Sequence, residues 1–173
     1  HLKWAIEVEW RLGTRPGPSE LLSIKWDHID FDRGVVRVFA GKTREWREIP
    51  FSQDFRVRLL SMKAQAKTEY VIEYKGRPMK KFRRSFQTAC SKAGVSYSCR
   101  MYDVRHLFAT VMLSGGADLA AVSKLLGHSS TKMTADVYYE LMKGEKAKAV
   151  SLLPSITESD DTAEKIIPFR GNV

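Results

Sequence analysis

Apolar and polar positions recur along this chain with two different periods, and the change of period marks its parts. Trp4, Val8 and Leu12 stand at helical spacing with charged residues between them, which predicts a helix over residues 1–12 that Gly13 stops. The turn Gly13-Thr14-Arg15-Pro16-Gly17-Pro18 follows. Pro18 and Ser19 suit the start of a second helix, with Glu20 in its first turn and Leu21, Leu22 and Ile24 on its buried side. From Ile29 the period becomes two: Ile29 to Phe31, a turn at Asp32-Arg33-Gly34, Val35 to Phe39, a loop at 41–45, then Trp46 to Phe51. These segments predict a three-stranded antiparallel sheet with Lys42 in or beside its second hairpin loop.

Helical spacing returns after Ser52, an N-cap residue, with Phe55, Leu59, Met62 and Ala66 along one face of a helix reaching about Thr68. Residues 70–74 read as a short strand or extended segment before the turn Lys75-Gly76-Arg77-Pro78. A strongly basic helix is expected over 80–93, with Phe82, Phe86 and Ala89 turned inward, Lys80, Lys81, Arg83 and Arg84 exposed, and Gly94 as its stop. Asp103 suits the N-cap of a helix over 104–114, and Asp118 that of a helix over 119–126 that Gly127 ends. A further helix should run from Thr131 to about Leu141, and a last amphipathic one over 144–153 before Pro154. Strands followed by a majority of helices predict an α+β fold, mostly helical, with a small antiparallel three-stranded sheet at one edge. One domain is expected over 1–153, followed by a tail over 154–173 that either docks on a neighbouring subunit or is disordered, with Ile166, Ile167 and Phe169 as its apolar residues.

Charge then narrows the partners. Twenty-nine Lys and Arg against twenty Asp and Glu give +9, which favours a polyanion, with nucleic acid foremost, although a basic protein without such a partner fits the charge alone equally well. No apolar run approaches the ~18 residues of a membrane span, and the first residues lack the apolar run of a signal peptide, so no membrane is expected and a cytoplasmic site is the natural one. The chain opens at His1 inside a helix, which fits a piece cut from a larger protein. Cys90 and Cys99 match neither a zinc site nor a disulfide framework. Metal-ligand spacing, a glycine-rich phosphate loop and a Gly-x-Ser-x-Gly elbow are all missing, so no cofactor or metal is expected.

Phosphate chemistry without a metal falls to side chains. Arginine offers a planar, permanently charged fork for two phosphate oxygens, lysine can protonate a leaving alkoxide, and tyrosine needs neighbouring cations to ionise below its free pKa of ~10. Singly, the candidates have ordinary readings: Arg15 as a solvated turn charge, Lys42 as a loop residue, His128 as a helix C-cap, and Tyr138 with Tyr139 as core and rim.

Taken together and in order they resemble the tyrosine recombinases, the phage integrase family. The resemblance is carried by Arg15 with Glu20-Leu-Leu-Ser-Ile-Lys-Trp26, Gly41-Lys42-Thr43, Asp103-Val-Arg105-His106-Leu-Phe-Ala-Thr110, and Leu125-Leu-Gly-His128-Ser-Ser130 followed by a tyrosine. It implies that Arg15 and Arg105 clamp a scissile phosphate of double-stranded DNA and that Lys42 protonates the leaving 5′-oxygen. His128 would donate to a non-bridging oxygen, and Tyr138, rather than Tyr139, would attack phosphorus to form a 3′-phosphotyrosyl link. Lys80, Lys81, Arg83, Arg84 and His106 are the candidates for further DNA contacts. The family often has His where this chain has Tyr102, which exchanges a proton acceptor for a phenol that can still donate a hydrogen bond. Arg15 and Glu20 are also further apart than usual, so the loop between them should bulge and Arg15 should need DNA or a neighbouring subunit to settle. The resemblance further implies a preceding DNA-gripping domain and a homotetramer on two duplexes, with the isolated domain able to be a monomer. A recombinase from a prophage or mobile element is the expected function. A type IB topoisomerase-like enzyme and a non-catalytic helix-turn-helix-like DNA-binding protein are its alternatives.

Overall fold

The computed structural model describes residues 1–41 and 44–139, the last three of these by their backbone only. Lys42, the side chains of Tyr138 and Tyr139, the helix expected over 144–153 and the tail over 154–173 lie outside the described residues. The described elements are six α-helices and two small sheets. Helix α1 is Leu2–Leu12, α2 Gln53–Ala64, α3 Arg83–Lys92, α4 Met101–Ser114, α5 Leu119–Leu126 and α6 Lys132–Tyr139. Strands β1 (Ile29–Asp30), β2 (Val35–Ala40) and β3 (Glu45–Pro50) form the expected antiparallel sheet in the order β1-β2-β3. The predicted α+β architecture, mostly helical with a three-stranded antiparallel sheet, is therefore the observed one. Strands β4 (Glu73–Tyr74) and β5 (Arg77–Pro78) pair separately across the Lys75-Gly76 turn, completing a hairpin of which the sequence showed only one arm.

The sheet is one-sided. Along β2, Val36, Val38 and Ala40 are buried while Arg37 and Phe39 face out, and Val36 lies opposite Ile49 of β3. This is the period-two pattern of a sheet packed on one face only. Its inner face joins Trp4, Val8 and Leu12 of α1 and Phe55 and Leu59 of α2 in one apolar core. A second cluster gathers Phe108, Ala109 and Leu113 of α4 with Val122 and Leu126 of α5.

Three local predictions change. No helix forms at Pro18 and Ser19: a turn leads into a single 3-10 turn, Leu21–Ser23, because two prolines within three positions hold the chain open and the backbone bonds of Leu21 and Leu22 run back to Arg15 and Gly17. Asp103 is not the N-cap of α4. The helix starts earlier, Arg100 holds the cap position, and the Asp103 carboxylate, two residues into the helix, accepts the Arg100 backbone N–H at 2.7 Å. This is the reciprocal half of a capping box. Lys80 and Lys81 precede α3 rather than opening it, since Phe82 takes the cap position to bury its ring. Asp118 does cap α5 as predicted, accepting from the Ala121 N–H at 2.8 Å.

Gly13 ends α1 in the left-handed region at φ 59°, and a Cβ there would lie 2.6 Å from the Phe108 ring. Glycine is thus required twice, by conformation and by space, and α1 and α4 touch closely where it sits. One turn earlier on α1, Glu9 is fully buried, and neither of its carboxylate oxygens has a hydrogen-bond partner. Burial raises its pKa to about 8, against the pull of the Arg105 guanidinium. Because the unfolded chain gives up this proton near the ordinary value of 4.5, the stability associated with the protonated form is complete below that pH and is lost as pH rises through about 8. Thermal melts should therefore show stability falling across that window by up to ~1.4 kcal/mol per pH unit, with the slope abolished in Glu9→Gln.

Candidate active site

Glu20 is the centre on which the site is assembled. Its side chain is 2% exposed, at the entry to the 3-10 turn, and a buried carboxylate must be compensated by cations and donors. Three arginines from distant parts of the chain converge on it. Arg15 donates its backbone N–H to Oε2 at 3.0 Å and places its side-chain Nε 3.8 Å from Oε1. Arg47, on β3, donates from Nη2 to Oε2 at 2.5 Å. Arg105, on α4, brings Nη1 within 3.8 Å of the same oxygen. Arg15 thus meets Glu20 through both its backbone and its side chain.

Arg105 is 2% exposed, and two of its five N–H groups go to backbone carbonyls: Nη1 to Gly13 at 2.8 Å and Nη2 to Leu126 at 2.5 Å. Both carbonyls are freed by helix ends, Gly13 at the close of α1 and Leu126 at the close of α5. Burial lowers the Arg105 pKa to about 10 while Glu20 opposes the fall, which leaves the side chain cationic at neutral pH.

His128 follows Gly127, the left-handed residue (φ 67°) that stops α5. Its Nδ1 lies 2.8 Å from the Thr134 hydroxyl of α6, and Thr134 is itself buried. Burial first, then Arg105, Arg15 and Arg47, lower the His128 pKa to about 4, so the imidazole is neutral near pH 7. A hydroxyl that donates to Nδ1 puts the ring proton on Nε2, and one that accepts from Nδ1 puts it on Nδ1. Tyr102, Arg105, His106, His128 and Thr134 line a cavity of about 170 Å³, and the rings of Tyr102 and His106 meet edge to face at 4.8 Å.

Of the sequence candidates, the described residues bring together Arg15, Tyr102, Arg105, His106 and His128. Lys80 and Lys81, before α3, and Arg83 line a separate cavity of about 420 Å³ with Pro16–Pro18 and Arg100, and this cavity shares Tyr102 with the first. Arg84 lies exposed on α3. Among the described residues no group of three His, Cys, Asp or Glu side chains could hold a metal ion, and no helix is long and apolar enough to cross a membrane. Sequence reasoning missed Arg47 and Thr134 and gave Glu20 the wrong role. Arg47 shares the inner face of β3 with Ile49 and lies opposite Val38, so the alternation turns it toward the protein, but nothing near it in the chain marks a partner 27 or 78 residues away. Glu20→Ala should cost about 3–5 kcal/mol in denaturant unfolding, because it leaves buried guanidinium groups uncompensated, whereas breaking an exposed pair such as Arg33–Glu48 should cost far less.

Comparison with known proteins bears on the family and the fold. The model of the phage integrase family matches residues 1–145. The chain is 33% identical over 128 residues to the tyrosine recombinase XerC of Lactobacillus leichmannii, covering 67% of this chain and 43% of that protein. It is 32% identical over 151 residues to the tyrosine recombinase XerA of Thermococcus kodakarensis, covering 78% of this chain and 52% of that protein. It thus spans about half the length of these curated relatives. Among solved structures, XerA recombinase superposes with a TM-score of 0.68 at 22% identity, over 86% of this chain and 57% of that one. The catalytic domain of bacteriophage HP1 integrase superposes with a TM-score of 0.61 at 19% identity, over 87% of this chain and 81% of that one. The family match over most of the chain, together with the shared fold, means that this chain belongs to the phage integrase family, the tyrosine recombinases.

Proposed function

We propose that this chain is the catalytic domain of a site-specific DNA recombinase, from a prophage or mobile element, that breaks and rejoins strands through a 3′-phosphotyrosyl intermediate. The observation that carries the reading is the convergence of Arg15, Arg105 and a neutral His128 around Glu20 and one small cavity. Such an arrangement offers preorganised cations and a neutral donor where charge develops on phosphate, which is the electrostatic requirement of phosphoryl transfer.

In this reading Arg15 and Arg105 grip the non-bridging oxygens, His128 Nε2–H donates to one of them, and Tyr102 adds a phenolic donor. The phenol of Tyr138 gives up its proton to solvent as its oxygen bonds to phosphorus, and the bond from phosphorus to the 5′-oxygen breaks. Lys42 gives that oxygen its proton. The phosphodiester energy is kept in the phosphotyrosyl link, so rejoining needs no nucleotide and exchange is reversible. Lys80, Lys81, Arg83, Arg84 and His106 hold the flanking DNA backbone. Recombination then takes place in a homotetramer on two duplexes, with the tail over 154–173 docking on a neighbouring subunit. DNA-bound relatives support this partner: XerH with its difH substrate and the Tn1549 transposon integrase with a circular intermediate DNA superpose on this chain with TM-scores of 0.67 and 0.71.

A labelled nicked duplex tests the reading. Wild type should yield a denaturant-resistant protein–DNA adduct, Tyr138→Phe should yield none, and Tyr139→Phe should retain it. Binding without any adduct would instead favour a DNA-binding regulator. Lys42→Ala should slow adduct formation by about 10²–10⁴-fold on ordinary DNA, and a 5′-bridging sulfur should restore most of that rate, since a thiolate leaves without general-acid help.

A further inference from the structure

Arg47 is a cation for which the phosphate-grip reading has no use. It is the third residue of β3, its side chain is only 11% exposed, and it is committed to groups of the protein itself. Nε donates to the Leu125 carbonyl at 2.8 Å, and Nη2 donates to Glu20. Nη1 is buried with no hydrogen-bond partner. A Cβ placed on Gly127 would lie 3.0 Å from Nη1 and 3.2 Å from Cδ and Cζ, so the guanidinium rests directly against the turn that delivers His128.

The end of α5 is therefore held twice. Arg47 takes the carbonyl of Leu125, Arg105 takes that of Leu126, and both guanidinium groups approach the same Glu20 oxygen. Cations suit the negative end of a helix, but one would have served that purpose. Nor is stability a sufficient reason, because burying a guanidinium with one orphaned donor carries a desolvation cost that an apolar side chain of similar volume would avoid. What the arginine adds is geometry: a planar fork satisfies a carbonyl and a carboxylate together only when strand, turn and Glu20 stand in one arrangement.

We propose that Arg47 is a positioning residue that locks the Gly127 turn, and with it the imidazole of His128, to the Glu20–Arg105 pair. It touches no phosphate. Strand β3 and the His128 turn then move as one body, so the register of the sheet is transmitted to the phosphate site. The inference rests on His128 acting on phosphate as proposed above, and its test separates the two ideas.

Arg47→Met and Arg47→Lys are compared with wild type and with Arg33→Met, which removes an exposed cation of the β1–β2 turn outside the site. Three quantities are read: the His128 titration by NMR, the single-turnover rate of adduct formation on saturating nicked duplex, and the DNA concentration giving half that rate. The charged groups bearing on His128 are Arg105, Arg15, Arg47 and Glu20. In Arg47→Met the His128 titration should move upward from about 4 as one of the cations that depress it is lost. The adduct rate should fall by about 10²-fold with the half-saturating DNA concentration changed less than about threefold. Arg47→Lys keeps the charge but not the fork, so His128 should titrate near its wild-type value while the rate still falls about tenfold. Arg33→Met should leave all three readings unchanged. A folded Arg47→Met with the wild-type rate and an unmoved His128 titration overturns the proposal, as does a rate loss that saturating DNA fully restores, which would make Arg47 a DNA contact. Should Arg47→Met not fold, Arg47→Lys decides alone: an unchanged rate overturns the proposal and a reduced rate at unchanged half-saturation upholds it. If wild type gives no adduct, the recombinase reading fails, and the backbone amide NMR shifts of Gly127 and His128 then judge whether Arg47 sets that turn: both Arg47→Met and Arg47→Lys should move them, and unmoved shifts in Arg47→Lys overturn the proposal.

Discussion

A single buried carboxylate sets the arrangement of this site. Glu20 is withdrawn from water at the end of a loop that prolines keep out of helix, and an ionised group there is tolerated only if cations and donors replace its solvent. Arg15, Arg47 and Arg105 provide them from an interhelical loop, a strand and a helix. The dependence is mutual, because three guanidinium groups gathered without an anion would repel one another over distances at which the protein interior screens weakly. The positive site exists because one negative charge is buried at its centre.

Helix ends supply the rest of the frame. Gly13 and Gly127 both adopt left-handed backbone, one to release a carbonyl to Arg105 beside the Phe108 ring, the other to turn the chain toward His128 over the Arg47 guanidinium. Carbonyls left unpaired at a helix terminus are natural acceptors for cations. Here they fix arginines in place, so that the orientation of Arg105 follows from where α1 and α5 stop. Burial first, and then the same crowding of cations, keeps His128 neutral. Thr134 reaches across from α6, the helix whose backbone carries Tyr138, so the state of the imidazole is tied to the placement of that helix.

Glu9 is the opposite case. It lies close enough to Arg105 to feel its charge but has no hydrogen-bond partner, and burial outweighs the attraction. One buried acid is thus held by three cations while another, which also feels the Arg105 charge, is driven toward the neutral form. The difference is geometric: Glu20 sits where donors can reach it, and Glu9 sits on the packed face of a helix.

The sequence by itself determined the order of elements, the one-sided sheet and the stops at Gly13 and Gly127, because period, caps and turn residues act over a few neighbouring positions. It also displayed Arg15, Tyr102, Arg105 and His128 as candidates, since motif spacing is written along the chain. Where it erred, at Pro18-Ser19 and at Asp103, a local rule yielded to a neighbouring proline or to a cap one turn away. What only the tertiary structure decided was the wiring between distant positions: Arg47 with Leu125 across 78 residues, Arg105 with Gly13 across 92, and the role of Glu20 as their common partner. No local pattern encodes such pairs. Their residues look like ordinary strand, turn and helix positions until folding removes water from around them and leaves each charge only the partners the fold supplies.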